Sequence, residues 1–405
     1  MLKQVRYDEP IFRNLQNIIP FFALYVLKKI KKMKKYKLFC LLMGCIVAIS
    51  SCGEKKLSDQ NFIDFALNIE EQIMNYENDN PIVNAFDYEE FEKRVLVGID
   101  ISKKERNRAS KFIRENTNPA TSILESVANG ADFRFIKFYR KDNEPHVVFR
   151  TYFNGWISLE DWTLGVKKGQ IFIYDAFVII SGIKWSDECR QKLCNYLGIF
   201  TDEVLNINKL MEIKYLIASE DYTTADSLLY WIMPQMQNNL YAKTMEMNLY
   251  WQSKSYEDVQ TLAKGFIKMF PNEKPISAFY LMKSSILHGL ADETMKHIYT
   301  LIDLIGDDPI YYLYLSEAYQ QANATTLALQ MLDSAICYMP LSIDLYSRKL
   351  DIYYSNYNYQ ACMDLVYQID SLCVLEDEDA AFFQTNYPQL NGYAPFNEWL
   401  QLRKK

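Results

Sequence analysis

The sequence predicts an α+β domain, helices first and then a curved antiparallel sheet, followed by an all-α array of helical repeats. Three observations carry this. Before Gly130, apolar side chains recur at three- and four-residue steps, the period of a helix. After Gly130 the period drops to two, the mark of half-buried strands. From about residue 203 the helical period returns, with a self-similarity at 34 residues that fits a two-helix repeat.

Residues 1–51 are expected to be a leader rather than part of the fold. Leu38 to Ile49 is a twelve-residue apolar run behind Lys34, Lys35 and Lys37. It is too short to span a bilayer and has the length of a signal-peptide core. The run closes on Ile49-Ser50-Ser51-Cys52, a cysteine directly after two small residues. This box resembles that of the bacterial lipoproteins. The resemblance implies cleavage before Cys52, acylation of its thiol with diacylglycerol and acylation of the new amino group, so that membrane lipid is a partner and no other cofactor is expected. The alternative is an anchor helix that contains a cysteine by chance. A second apolar run, Ile18 to Leu27, is broken by Pro20 and followed by four lysines. Translation from Met33 gives the signal ordinary proportions, so Met33 is the expected start. Gly53, where an inner-membrane retention signal would place aspartate, favours the outer membrane, facing the periplasm or the cell surface.

Residues 52–405 number 354, enough for two domains with their own cores. The whole chain carries 44 basic and 51 acidic side chains, of which the leader holds ten and two, so the remainder stands near −15. No Lys/Arg-rich face follows residue 56, and nucleic acid is excluded as a partner on that ground. Beyond Cys52 the cysteines are Cys189, Cys194, Cys337, Cys362 and Cys373. Odd in number, widely spaced and without a C-x-x-C pair, they are expected to be buried apolar side chains rather than a disulfide framework or zinc site.

Residues 52–60 form a short polar tether, and the α+β domain is expected over 61–200. Phe62, Phe65, Ala66, Ile69 and Ile73 make one helical stripe. Further helices are expected to start at Asp87 with Glu90, at Ser102 with Glu105 and at Ser122 with Glu125, each pair able to satisfy free N–H groups at a helix start. The strands follow: Phe133 to Tyr139, a turn over 141–145, Val147 to Phe153, a turn at Asn154-Gly155, Ile157 to Leu164, a turn at 167–169, and Gln170 to Ile180. By order of elements alone this domain resembles the cone-shaped family of nuclear transport factor two and the ketosteroid isomerases, with no residue-level motif to carry over. Asp175 stands out inside an apolar strand, where a carboxylate must be paired or titrate abnormally. It is expected to pair with Arg134 or Arg150 or to be exposed by a bulge; the functional alternative is a general base near Tyr174 or Tyr152. His146 is expected to be a solvated turn residue.

The repeats are expected over 203–385. Ser219 to Ala225 aligns with Ser253 to Val259 at 34 residues, and Tyr312 with Tyr346 and Tyr319 with Tyr353 keep the same spacing. The fullest copy is Tyr312, Leu315, Ser316, Tyr319, Ala328, Leu332, Ala335 and Pro340, whose aromatic, leucine, small, tyrosine, alanine, bulky, alanine and proline order resembles the tetratricopeptide repeats. The resemblance implies four or five antiparallel helix pairs around a concave groove that holds a polypeptide partner. Residues 386–405 are expected to close the array.

No phosphate loop, H-E-x-x-H, G-x-S-x-G or calcium loop is present after the leader. His288 and His297 are badly spaced for a metal, with His288-Gly289 at a helix end, and Glu376 to Asp379 is expected to be a solvated loop. No catalytic or metal-binding residue is therefore assigned. The expected function is a membrane-anchored binding or scaffolding lipoprotein working through its helical repeats. The alternative, suggested by 15% aromatic residues, is a carbohydrate-binding or hydrolysing lipoprotein of a glycan-uptake system.

Overall fold

The computed structural model describes residues 57–75, 80–118, 121–153, 155–340, 342–372 and 375–403. Cys52, Met33 and Cys373 lie outside them. Five helices come first: α1 (Asp59–Met74), α2 (Pro81–Ala85), α3 (Tyr88–Val95), α4 (Lys103–Asn116) and α5 (Thr121–Ala128). Phe62, Ala66, Ile69 and Ile73 form the buried stripe of α1. Asp87 caps α3 by accepting from the N–H groups of Glu89 and Glu90, and Ser102 with Glu105 forms a reciprocal capping box on α4. The Ser122 expectation needs correction. Helix α5 already begins at Thr121, which places Ser122 inside the first turn, where its carbonyl accepts from the Ser126 hydroxyl. Gly130, at φ +94°, then turns the chain into the sheet.

The sheet is an antiparallel meander in sequence order: β1 (Asp132–Lys141), β2 (Glu144–Phe153), β3 (Trp156–Lys167), β4 (Gln170–Val178) and the short β5 (Ile183–Lys184). The first hairpin turn is tighter than expected. Only Asp142 and Asn143 separate the strands, both with positive φ, the backbone of a two-residue type I′ loop. One extra residue bulges from each of two strands, Ile136 in β1 and Tyr174 in β4. The second bulge has a visible requirement, because a Cβ on Gly165 would lie 1.9 Å from the Tyr174 ring. The outer edge of β1 is closed by α1, whose Glu70 carboxylate accepts from the Phe135 N–H at 2.8 Å.

Alternation sends the two sides of the sheet to different cores. Val147, Phe149, Trp162 and Ile173 join the five helices, with α6 (Trp185–Leu197) completing that layer. Val148, Tyr152, Leu159 and Ile179 join the helical array instead. The array runs α7 (Asp202–Ala218), α8 (Tyr222–Met236), α9 (Leu240–Gln252), α10 (Tyr256–Met269), α11 (Lys274–Leu287), α12 (Ala291–Ile305), α13 (Ile310–Gln321), α14 (Thr325–Tyr338), α15 (Ile343–Ser355) and α16 (Tyr359–Leu372), five consecutive pairs. Beyond them lie α17 (Asp377–Asn386), a 3₁₀ turn (Pro388–Gly392) and α18 (Ala394–Arg403). Their Phe383, Leu390, Phe396 and Trp399 share a core with Cys362, Val366 and Ile369 of α16. Glu376 to Asp379, expected as a loop, instead caps and opens α17, where carboxylates suit the free N–H groups of a helix start.

Candidate functional site

The second helices of the pairs begin at Tyr222, Tyr256, Ala291, Thr325 and Tyr359, at intervals of 34, 35, 34 and 34 residues. Two residues before each stands one in left-handed backbone: Glu220, Lys254, Gly289, Asn323 and Tyr357, with φ between +57° and +64°. The same turn is thus built five times. Within the fourth pair, Ser316, Tyr319, Ala328, Leu332 and Ala335 are buried, while Tyr312 and Leu315 are partly so. Tyr312 stacks on Tyr338 with centroids 6.1 Å apart. Pro340 lies exposed beyond α14, and its carbonyl accepts from the Tyr346 hydroxyl of the next pair at 3.0 Å.

Helix α13 is buried on a second face as well, through Tyr311, Tyr314 and Ala318. That face meets the sheet. Arg150 on β2, fully buried, binds Asp132 at 2.6 Å and reaches across to Asp308, just before α13, at 3.2 Å. Burial opposes its charge, but Asp308 and Asp132 together hold its pKa above the ordinary arginine value. Arg134 donates to the Tyr338 carbonyl at 3.1 Å, Lys137 to the Asp303 carbonyl at 3.1 Å, and the Thr244 hydroxyl of α9 to the Ser181 carbonyl at 2.5 Å. Gly306, at φ +108°, lets the Ile136 bulge come so close that an added Cβ would stand 2.8 Å from it.

A chain of polar side chains ties the first helices α11, α13 and α15 to the same seam. Tyr152 donates to Asp344, which also accepts from Arg348 at 2.9 Å; Arg348 pairs with Glu317, and Glu317 lies 3.9 Å from the Lys283 ammonium. Lys283 sits 4.6 Å from the Tyr314 ring centroid and 5.1 Å from that of Trp251. Burial lowers its pKa, with Glu317 opposing. The Tyr314 hydroxyl is buried without a hydrogen-bond partner. The first-helix face of the array, where a groove ligand would lie, is therefore occupied in its middle pairs by the protein's own sheet.

Asp175 is buried, but its partner is not an arginine. It accepts from the Ser186 hydroxyl at 2.6 Å, the Ser186 N–H at 3.1 Å and the Ala176 N–H at 2.9 Å, and so fastens the start of α6 to β4. Tyr152, the other suggested partner, spends its hydroxyl on Asp344. The bulge falls at Tyr174, which leaves Asp175 inside. His146 also departs from expectation: the short hairpin turn draws it into β2, buried, with Nδ1 3.0 Å from Asp161, which also accepts from Tyr139 at 2.5 Å. In the first cluster the Ser186 hydroxyl is spent as a donor to Asp175 rather than to a histidine. Cys189, Cys194 and Cys362 are buried thiols, whereas Cys337 is exposed on α14, because position 337 falls on its solvent side. His288 ends α11, with Nδ1 2.8 Å from the Ser284 carbonyl. Among the described residues no group of three potential ligands could hold a metal, and no helix is long and apolar enough to cross a membrane.

The outer surface of the first two pairs is open. On α8, Tyr230 and Trp231 are 79% and 74% exposed. Tyr230, Met233, Pro234 and Gln237 fall on one helical face and line a cleft of about 350 Å³ with Met269 of α10 and the Lys243–Glu246 pair of α9, bonded at 2.8 Å. This patch escaped sequence reading because α8 also has an ordinary buried stripe, Ala225, Leu229, Ile232 and Met236. Adjacent rings at 230 and 231, both off the stripe set by Ala225, Leu229, Ile232 and Met236, were the available signal. No known protein family, curated protein or solved structure matches the chain.

Proposed function

We propose that the protein is a lipid-anchored binding protein of the cell envelope, held by an acylated Cys52, that recruits a polypeptide partner through its tetratricopeptide-like helices. The observation that supports partner binding is Tyr230, left open to solvent beside Met233, Pro234 and Met269, with Trp231 exposed next to it in sequence. Trp, Tyr and Met are the side chains enriched in interface cores, and Trp and Tyr dominate their hot spots. The site differs from the groove expected from repeat architecture, because the sheet fills the first-helix face. The outer-membrane location rests on the signal sequence alone.

The alternative ligand is an oligosaccharide, favoured by the Tyr230 ring standing beside Gln237, Asn238 and Glu246. Site-specific photocrosslinking in the native membrane separates the two. A crosslinker at Ser227, one turn from Trp231 on α8 and exposed, should give a discrete protein adduct that disappears in Tyr230→Ala/Trp231→Ala. A glycan-array signal abolished by the same double substitution, with no protein adduct, would replace the polypeptide reading. For the anchor, Cys52→Ser should abolish palmitate labelling and leave the uncleaved form; undiminished labelling would remove it.

A further inference from the structure

A second cleft, of about 380 Å³, opens where the β3–β4 hairpin meets α3 and α4. Its volume lies at the lower end of small-molecule sites, roughly 300–1,000 Å³. The floor is aromatic. Phe86 is nearly buried and meets Tyr88 edge-on at 4.9 Å, with Phe172 of β4 beside them. That floor is fixed by backbone and side-chain bonds: the Asp87 N–H donates to the Ile173 carbonyl at 3.0 Å, and the Tyr88 hydroxyl to the Thr117 carbonyl at 3.1 Å.

The rim is basic. Lys167 is committed to Glu89 at 2.7 Å and Asp87 at 3.4 Å. Arg114 and Lys168 have no ion-pair partner among the described residues. The Arg114 guanidinium lies 6.0 Å from the Tyr88 ring centroid, and Lys168 is held at φ +53° in the two-residue turn with Gly169. Three cations against two carboxylates leave the cleft at +1, in a chain whose net charge is −7. A positive cleft on an acidic protein is a local focus for anions.

We propose that this cleft binds a small organic anion, a carboxylate or phosphate ester with an aromatic or branched apolar body. The body lies on Phe86, Tyr88 and Phe172, and the anionic group takes the guanidinium of Arg114 and the ammonium of Lys168. Guanidinium suits this role because its planar fork can give two parallel bonds to one carboxylate or phosphate. The inference is independent of the polypeptide site on α8.

Calorimetric titration at low ionic strength tests it, with phenyl phosphate and benzoate as probes and inorganic phosphate and benzyl alcohol as half-ligand controls. At least one of the two complete probes should bind more tightly than either half-ligand, and its affinity should fall at high salt. Arg114→Glu combined with Lys168→Asn should weaken binding by at least about tenfold, as expected when charge-assisted bonds are lost. Asparagine suits the left-handed backbone at position 168. Lys111→Gln, one turn away on α4 and 75% exposed, should leave binding unchanged. Absence of binding by both probes, equal binding of a half-ligand, or undiminished binding in the folded double variant would overturn the proposal.

Discussion

At the scale of single residues, Asp175 shows how a legible anomaly can have an illegible partner. A carboxylate inside an apolar strand announces itself in sequence, but Ser186 lies eleven residues on, past the turn at Gly182 and a strand of two residues, and nothing in the pattern fixes that meeting. Burial raises the Asp175 pKa above its ordinary 3.8, against the opposing bonds from Ser186 and Ala176. The folded state thus holds the proton more tightly than the unfolded chain. Its contribution to stability is complete below the ordinary value and is lost as pH rises through the raised one. Asp175→Asn keeps an acceptor for the two N–H groups and lets the Ser186 hydroxyl turn to accept. It should therefore remain folded, and its melting temperature should fall less than the parent's between about pH 4 and pH 7. Asp175→Ala strands the Ser186 N–H and hydroxyl and should cost about 1–3 kcal/mol. A steeper pH dependence in the asparagine variant would contradict this account. His146 was misplaced for a simpler reason, since Asp142-Asn143 is itself a type I′ signal and a two-residue loop carries position 146 into the strand.

At the scale of elements, the repeat register was legible because it rests on local geometry. The 34-residue spacing of Tyr222 and Tyr256 reports the second-helix starts, and the five left-handed residues show that the backbone, more than the side chains, is what repeats. Left-handed backbone costs a non-glycine residue about 1–2 kcal/mol, of which glycine's greater unfolded-state freedom returns part. Lys254→Gly, at an exposed position, should consequently stabilise by up to about 1 kcal/mol, and Lys254→Val should destabilise, because a branched Cβ fits that region worst. Denaturant midpoints decide, and the reverse order would refute the common turn. Packing between the paired helices gives a second expectation. Ala328 is fully buried and Gln330 exposed, so Ala328→Phe should lose about 1–3 kcal/mol or more by overpacking while Gln330→Phe is tolerated. Equal melts for the two would mean that the register is wrong.

At the scale of the whole molecule, the seam between sheet and array was hidden because it joins residues far apart in sequence: Arg150 with Asp308, and Tyr152 with Asp344. One trace of it was present. The run Ile276 to Ile286 holds apolar or small side chains at every position but Lys283, nine of the fourteen residues of α11 are buried, and a helix buried on several faces has neighbours on several faces. By contrast, α14 buries only Ala328, Leu332 and Ala335, the single stripe of an outer helix. If the seam is a core rather than a contact between separable domains, sheet and array unfold together. Asp308→Ala tests this, because it leaves Arg150 buried with Asp132 alone; breaking one side of a buried ion network costs about 3–5 kcal/mol. Calorimetry should show one transition in the parent and one, at lower temperature, in the variant. Hydrogen exchange should show protection lost in β2 and β3 as well as in α13. Arg150→Met combined with Asp308→Leu should recover much of the loss, since it removes both fully buried charges of the seam, while Asp132, 19% exposed, keeps Arg134 at 3.8 Å. Loosening confined to α13, with the sheet still protected, would show instead that sheet and array are stable apart, and the first-helix face would then be free to take a ligand when the sheet is displaced.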